Sequence, residues 1–125
     1  MVDLAPGWKL HVDRGPDWVF VRVQPPDGMR SDSVPLADSI WSVLQQHFTY
    51  RLVLELDQVT FLHSHLIGQL VWLNKRIHQN GGLMRVCGLS DQNQQVIQAC
   101  RLGDAFPNYG NRGDAVMGHR PHQPR

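Results

Sequence analysis

The sequence predicts an α/β fold, a single domain in which a mixed sheet of four to five strands carries about four helices. Three observations predict it. Leu52-Val53-Leu54-Glu55-Leu56 is a short, nearly continuous apolar run of strand length, the pattern of a strand covered on both faces. The period then changes: Leu66, Leu70, Leu73 and Ile77 recur at helical spacing, Ile67 and Val71 widen the stripe, and Gln69, Asn74, Lys75, Arg76 and Gln79 supply polar positions. On either side of this pair, strand-like and helix-like segments alternate, which is the order of a layered sheet with helices packed on it.

Trp8 to Val12 and Trp18 to Val23 are β-rich runs separated by Asp13-Arg14-Gly15-Pro16-Asp17, and they read as an antiparallel hairpin. Gln24 to Pro35 holds three prolines after Gln24, with Gly, Asp, Ser and Arg among them, and is expected to be a mobile loop. Pro35 suits a first helical turn, and Leu36, Ile40, Val43, Leu44 and Phe48 give a helix to about His47 that crosses over from the hairpin to the strand near 51–56. After the central helix, Asn80-Gly81-Gly82 is a strong stop, preceded by Lys75, Arg76 and His78, whose charge complements the helix dipole. Leu83 to Gly88 is a further strand. Ser90 and Asp91 start the next helix, with Val96, Ile97 and Cys100 as its apolar positions and Leu102-Gly103 as its end. Phe106 to Tyr109 and Gly113 to Met117 read as a short last strand and helix.

With 125 residues the chain makes one domain, taken as residues 1–117, followed by a tail at 118–125 that has no apolar anchor and is expected to be disordered. Twelve basic and eleven acidic residues nearly cancel, so nothing draws the chain generally to nucleic acid, and a protein partner or small ligand fits better. Cys87 and Cys100 are too few for a secreted disulfide framework and are both expected to be buried free thiols. No run approaches the roughly 18 apolar residues of a membrane helix and the N-terminus lacks a signal-peptide core, so the expected location is cytoplasmic, without membrane insertion. No cofactor is called for. The outer strand of the N-terminal hairpin is a candidate surface for a homodimer.

Phe61-Leu62-His63-Ser64-His65 lies where the chain leaves the sheet and a helix begins, a natural place for a site. Ser64 is expected to be the helix N-cap, accepting from a backbone N–H two or three residues on. His63 and His65 offer two imidazoles, and His47 a third from another helix end, but no adjacent Cys, Asp or Glu cluster completes a metal shell. Acid–base chemistry by His63 and His65, with Glu55 or Asp57 orienting, lacks a nucleophile–base set, so the residues favour a binding module over an enzyme. Anion or nucleotide binding lacks a glycine-rich phosphate loop. Leu66 heads the buried stripe, with an apolar knob on a partner surface as its other reading. Trp41 and Trp72, at the edges of their helices' apolar faces, are core residues or interface anchors.

Residues 52–71, LVLELDQVTFLHSHLIGQLV, resemble the signature of STAS domains, the family of bacterial anti-sigma-factor antagonists. That signature is a hydrophobic strand ending in Asp-Leu, a Val-Thr-Phe-Ile-like segment, then Asp-Ser-Ser-Gly-Leu-Gly opening a helix. Gly81-Gly82-Leu83, Cys87-Gly88-Leu89-Ser90 and Cys100-Arg101-Leu102-Gly103-Asp104-Ala105-Phe106-Pro107 follow in the family's order, so the resemblance runs over residues 8–117. It implies a STAS-like sheet and a non-enzymatic regulator. Its implied partner is an anti-sigma factor or kinase of the histidine-kinase-like ATPase type, which phosphorylates the second serine of the motif and thereby weakens the association.

Here His63 stands for the motif's Asp, Ser64 matches the first serine, His65 replaces the phosphorylated serine, Leu66 replaces Gly, Gly68 matches the second Gly, and Glu55 stands for the strand's Asp. The usual phosphoserine switch is therefore expected to be absent, with Ser64 the nearest hydroxyl. The resemblance assigns partner binding to His63, Ser64, His65, Leu66 and Gln69, together with the loop before the first helix. The alternatives are a STAS-type accessory subunit of a transporter complex, or a small-ligand or metal-binding protein that uses His63 and His65.

Overall fold

The computed structural model describes residues 2–5, 8–25 and 35–118. Six strands form one sheet in chain order: β1 (Val2–Ala5), β2 (Trp8–Arg14), β3 (Val19–Gln24), β4 (Arg51–Glu55), β5 (Leu83–Cys87) and β6 (Asn108–Tyr109). The first three are antiparallel, and β3 through β6 run parallel. The helices are α1 (Leu36–Gln46), α2 (Ser64–Gln79), α3 (Asp91–Ala99) and α4 (Arg112–Met117). The mixed sheet and the four helices are those the periodicities imply. β1 goes beyond them: Val2 pairs with Leu10 and Asp3 with Lys9, so the outer edge of the hairpin, the candidate dimer surface, is already covered. The Gln24–Pro35 loop and the tail fall mostly outside the described residues.

Strand alternation divides the core. Val19, Val21 and Val23 of β3, Leu52 and Leu54 of β4, and Met84 and Val86 of β5 join one large cluster with Ile40 and Leu44 of α1, Leu66, Leu70, Leu73 and Ile77 of α2, and Ile97 of α3. The opposite face packs Val53, Cys87, Tyr109 and Trp18 with Ala115 of α4. β4 is thus covered on both faces, which is why its sequence reads as a continuous apolar run. The five buried apolar side chains of α2 are Leu66, Ile67, Leu70, Leu73 and Ile77; at about 2 kcal/mol each they contribute on the order of 10 kcal/mol to holding α2 on the sheet. Val71, expected in that stripe, is 39% exposed instead.

Helix ends explain two further departures. Phe48 is not part of the α1 face: the helix stops at Gln46, Phe48 takes φ +55°, and its side chain is 93% exposed. Phe48 N–H donates to Gln45 C=O and Thr49 N–H to Leu44 C=O, the paired closure that ends a helix through a left-handed residue. That position favours glycine, and a side chain there costs roughly 1 to 2 kcal/mol. Cys100 is likewise the C-cap residue of α3 and exposed, not buried, because the helix ends one residue earlier; Cys87 is buried as expected. Ser90 is the expected N-cap of α3, accepting from Asn93 N–H at 3.1 Å.

Candidate functional site

The chain passes from β4 to α2 through residues 56–63, and buried groups fix this passage. Leu56 N–H donates to Cys87 C=O at 3.0 Å and Val59 N–H to Leu56 C=O at 3.1 Å, while Val59 and Leu62 sink into the core. Asn93 of α3, fully buried, accepts from Leu62 N–H at 2.9 Å and donates from Nδ2 to Val59 C=O at 2.8 Å. One side chain thus satisfies a donor and an acceptor of a loop that has no strand partner there. Gly88, at φ +76°, permits close approach from the other side, since a Cβ on it would meet Asp57 Cβ at 2.9 Å.

Phe61 and His63 emerge from this anchored segment, their rings edge to face at 4.9 Å. The N-cap of α2 is His63, in extended conformation and with no side-chain cap, and its carbonyl accepts from Ile67 N–H at 3.0 Å. Ser64 is therefore the first helical residue and not the expected cap: the helix begins one residue earlier than the capping reading requires. Ser64 and His65 are both exposed, as is Gly68, over whose backbone a Cβ would meet nothing within 4 Å. No acidic residue lies in this first turn, so the positive end of the helix dipole is not offset by a carboxylate of the turn itself.

The remaining assigned residues face inward. Leu66 is 5% exposed and belongs to the core, so it is not a surface knob. Gln69 is half-buried, and its Oε1 accepts from Ala37 N–H at 2.8 Å. That bond serves an N-terminal donor of α1, whose own N-cap, Pro35, supplies no side chain for it. Gln69 ties the start of α1 to the start of α2.

Behind the junction, on the α4 face, lies a charged cluster that centres on Glu55, only 5% exposed. Arg22 Nη2 donates to Glu55 Oε2 at 3.3 Å and Arg22 Nε to Asp57 Oδ1 at 3.2 Å. Arg112 of α4 donates to both Glu55 oxygens and, at 3.2 Å, to Asp13, with its guanidinium 4.4 Å from the centre of the Phe20 ring. The hydrogen bond to Glu55 pushes the Arg112 pKa up. Burial, with Glu55 and Asp57 adding to it, pushes the Cys87 thiol up to about 12. Glu55 is thus engaged by Arg22 and Arg112, and Asp57 by Arg22. Among the described residues no three His, Cys, Asp or Glu side chains gather into a metal-binding group; His47 sits beyond the far end of α1, where its carbonyl accepts from Arg14. No described helix is long and apolar enough to cross a membrane.

Sequence reasoning missed Asn93, Arg22 and Arg112. Arg22 left a signal, as the single charge in the run Val19-Phe20-Val21-Arg22-Val23, on the face opposite the three valines. Asn93 left none, since one Asn among four Gln residues looks like helix surface.

Comparison with known proteins agrees with this arrangement. An anti-sigma factor antagonist from Mycobacterium paratuberculosis superposes with a TM-score of 0.71 at 22% identity, over 92% of this chain and 97% of that one. A putative anti-sigma factor antagonist from Thermotoga maritima gives 0.73 at 15% identity, covering 87% and 92%. The anti-sigma factor antagonist SpoIIAA in its unphosphorylated form gives 0.64 at 14% identity, covering 88% and 97%. Among curated proteins none matches the sequence. The family model described as STAS domain matches residues 31–115, most of the chain, with the β4–α2 junction inside the match, and the chain accordingly belongs to the STAS domain family.

Proposed function

We propose that this domain is a protein-binding regulator of the anti-sigma-factor-antagonist type, which engages a kinase-like anti-sigma partner through the start of α2. The observation that carries this reading is the construction of the junction: Ser64, His65 and Gly68 are exposed on a helix start that Asn93, Leu66 and Gln69 hold rigidly from behind. A surface fixed before binding loses less freedom on association than one that must first be ordered. Phe61 and His63 extend the same surface with an aromatic pair. The mechanism is competition: the domain occupies the partner surface that would otherwise hold the sigma factor.

At the position of the family's phosphorylated serine, His65 is neutral or cationic and never dianionic, so it cannot imitate phosphoserine. The domain then rests in the binding-competent charge state. Ser64 is the one hydroxyl at this helix start within the described residues, and phosphate there would place a dianion on the surface the partner contacts.

The test is a pull-down from the native cell with wild-type protein and a Ser64→Glu, His65→Glu double variant, with intact mass taken on the recovered wild type. The expected result is a kinase-like anti-sigma protein held by wild type and lost by the variant. Recovery of transporter subunits, or no partner from either protein, would contradict the reading. A mass increase of one phosphate on Ser64 would show the switch displaced by one residue.

A further inference from the structure

A second surface lies at the other end of α2. α1 leads into β4 and α2 follows it, so the end of α1 and the end of α2 share the edge at which β4 begins, away from His63 and His65. On this edge Trp41 stacks on Tyr50 with ring centres 5.0 Å apart, and the Arg76 guanidinium sits 4.8 Å from the Trp41 ring and 5.2 Å from the Trp72 ring. Trp72, Lys75, Arg76 and Gln79 line an open cleft of about 310 Å³. Trp72 is 41% exposed, and Phe48, in the turn after α1, is almost wholly exposed in a backbone conformation that disfavours a side chain. The sequence of α2 contains no Asp or Glu, and among the described residues neither Lys75 nor Arg76 has a carboxylate partner.

We infer that this edge is a second docking site, which takes an acidic segment of a protein partner whose carboxylates alternate with bulky apolar side chains. Charge complementarity selects that occupant. Two cations with no carboxylate partner among the described residues flank a half-exposed indole, and the two aromatic rings hold the Arg76 guanidinium in place, so a carboxylate can engage it with little further ordering. Apolar side chains of the same segment cover Trp72. An anionic bilayer is a poorer complement, because stable attachment by charge uses a cluster of about four to eight cations. A domain with two such surfaces, one at each end of α2, holds two partners at once.

The test is a titration of the full chain with a short synthetic peptide of Glu, Leu and Phe, and with its counterpart carrying glutamine for every glutamate, followed by ¹H–¹⁵N spectra. The expected result is a shift of the Trp72 indole and Arg76 Nε–H signals, with the His63–His65 amides unmoved. Affinity is expected to fall about tenfold or more for the glutamine peptide and for the Lys75→Gln, Arg76→Gln double variant, and to weaken as salt rises. Trp72→Ala, at a half-exposed position of the cleft, should weaken binding independently, and circular dichroism checks that each variant is folded. No shift at millimolar peptide would overturn the inference, as would equal binding of the glutamine peptide or a footprint at the start of α2. It is equally overturned if Trp72 is instead covered by self-association of the chain, or responds to phosphatidylglycerol vesicles and not to the peptide. This outcome is separable from the proposed function, whose surface and variants are different.

Discussion

Replacing Asn93 by alanine should damage both the fold and the junction, and the structure sets the size of the effect. The side chain is fully buried and makes two hydrogen bonds to backbone, accepting from Leu62 N–H at 2.9 Å and donating to Val59 C=O at 2.8 Å. Alanine leaves a buried donor and a buried acceptor without partners, each at a cost of about 1–3 kcal/mol. With some relief from entering water, the loss is about 2–4 kcal/mol. Asn93→Asp should not rescue it, because a carboxylate accepts from Leu62 but has no hydrogen for Val59 and brings a charge into the core. Urea unfolding at neutral pH measures the loss as a lower midpoint with an unchanged slope, and hydrogen exchange at the Leu62 amide reports the same event locally. A loss below about 0.5 kcal/mol, with the Leu62 amide still protected, would refute the reasoning that this residue fixes the entry to α2.

Other perturbations probe the remaining features. Glu55→Gln keeps the shape of the side chain but removes the charge shared by Arg22 and Arg112. Because both arginines are partly exposed and can return to water, the expected cost is about 1–2 kcal/mol by denaturant unfolding, not the larger value of a sealed pair. The Cys87 thiol, at about 12 in the folded chain against 9.0 for the free group, keeps its proton where the unfolded chain loses it. Its stabilising contribution is complete below pH 9.0 and is lost as pH rises toward 12, by about 1.4 kcal/mol per pH unit within that window; Cys87→Ala should flatten that part of the profile. At pH 8 a thiol reagent should label Cys100 at once and Cys87 only on unfolding. Phe48→Gly relieves the left-handed strain but loosens the unfolded chain, so it should raise stability by about 0.5 kcal/mol, read as a higher Tm.

The parts of the fold carried by periodicity were legible. The run at 52–56 and the stripe from Leu66 to Ile77 gave β4 and α2, and Ser90 gave the start of α3, because each rests on local chemistry. The misses have a common cause, which is that the deciding partner is distant in sequence. Val2–Ala5 becomes a strand only by pairing with β2. Leu66 and Gln69 lie one turn apart on α2, yet the first faces the sheet and the second reaches Ala37, which a linear pattern does not reveal. The charge that neutralises Glu55 comes partly from Arg112, 57 residues away. The strand-to-helix junction after β4 was legible from the change of period, but its internal wiring through Asn93 left no trace in the sequence. Phe48 looked like core because it continues the spacing of Ile40 and Leu44, and only the closure of the helix at Gln46 removes it.

The central claim is that a protein partner covers the start of α2. Hydrogen exchange of the amides of residues 61–69, measured on the domain alone and in complex with the partner recovered by pull-down, tests it most directly. The account predicts slower exchange across His63 to Gln69 in the complex, beyond the protection that Asn93 already gives Leu62. Unchanged exchange there, with protection appearing only elsewhere on the sheet or at the end of α2, would contradict it.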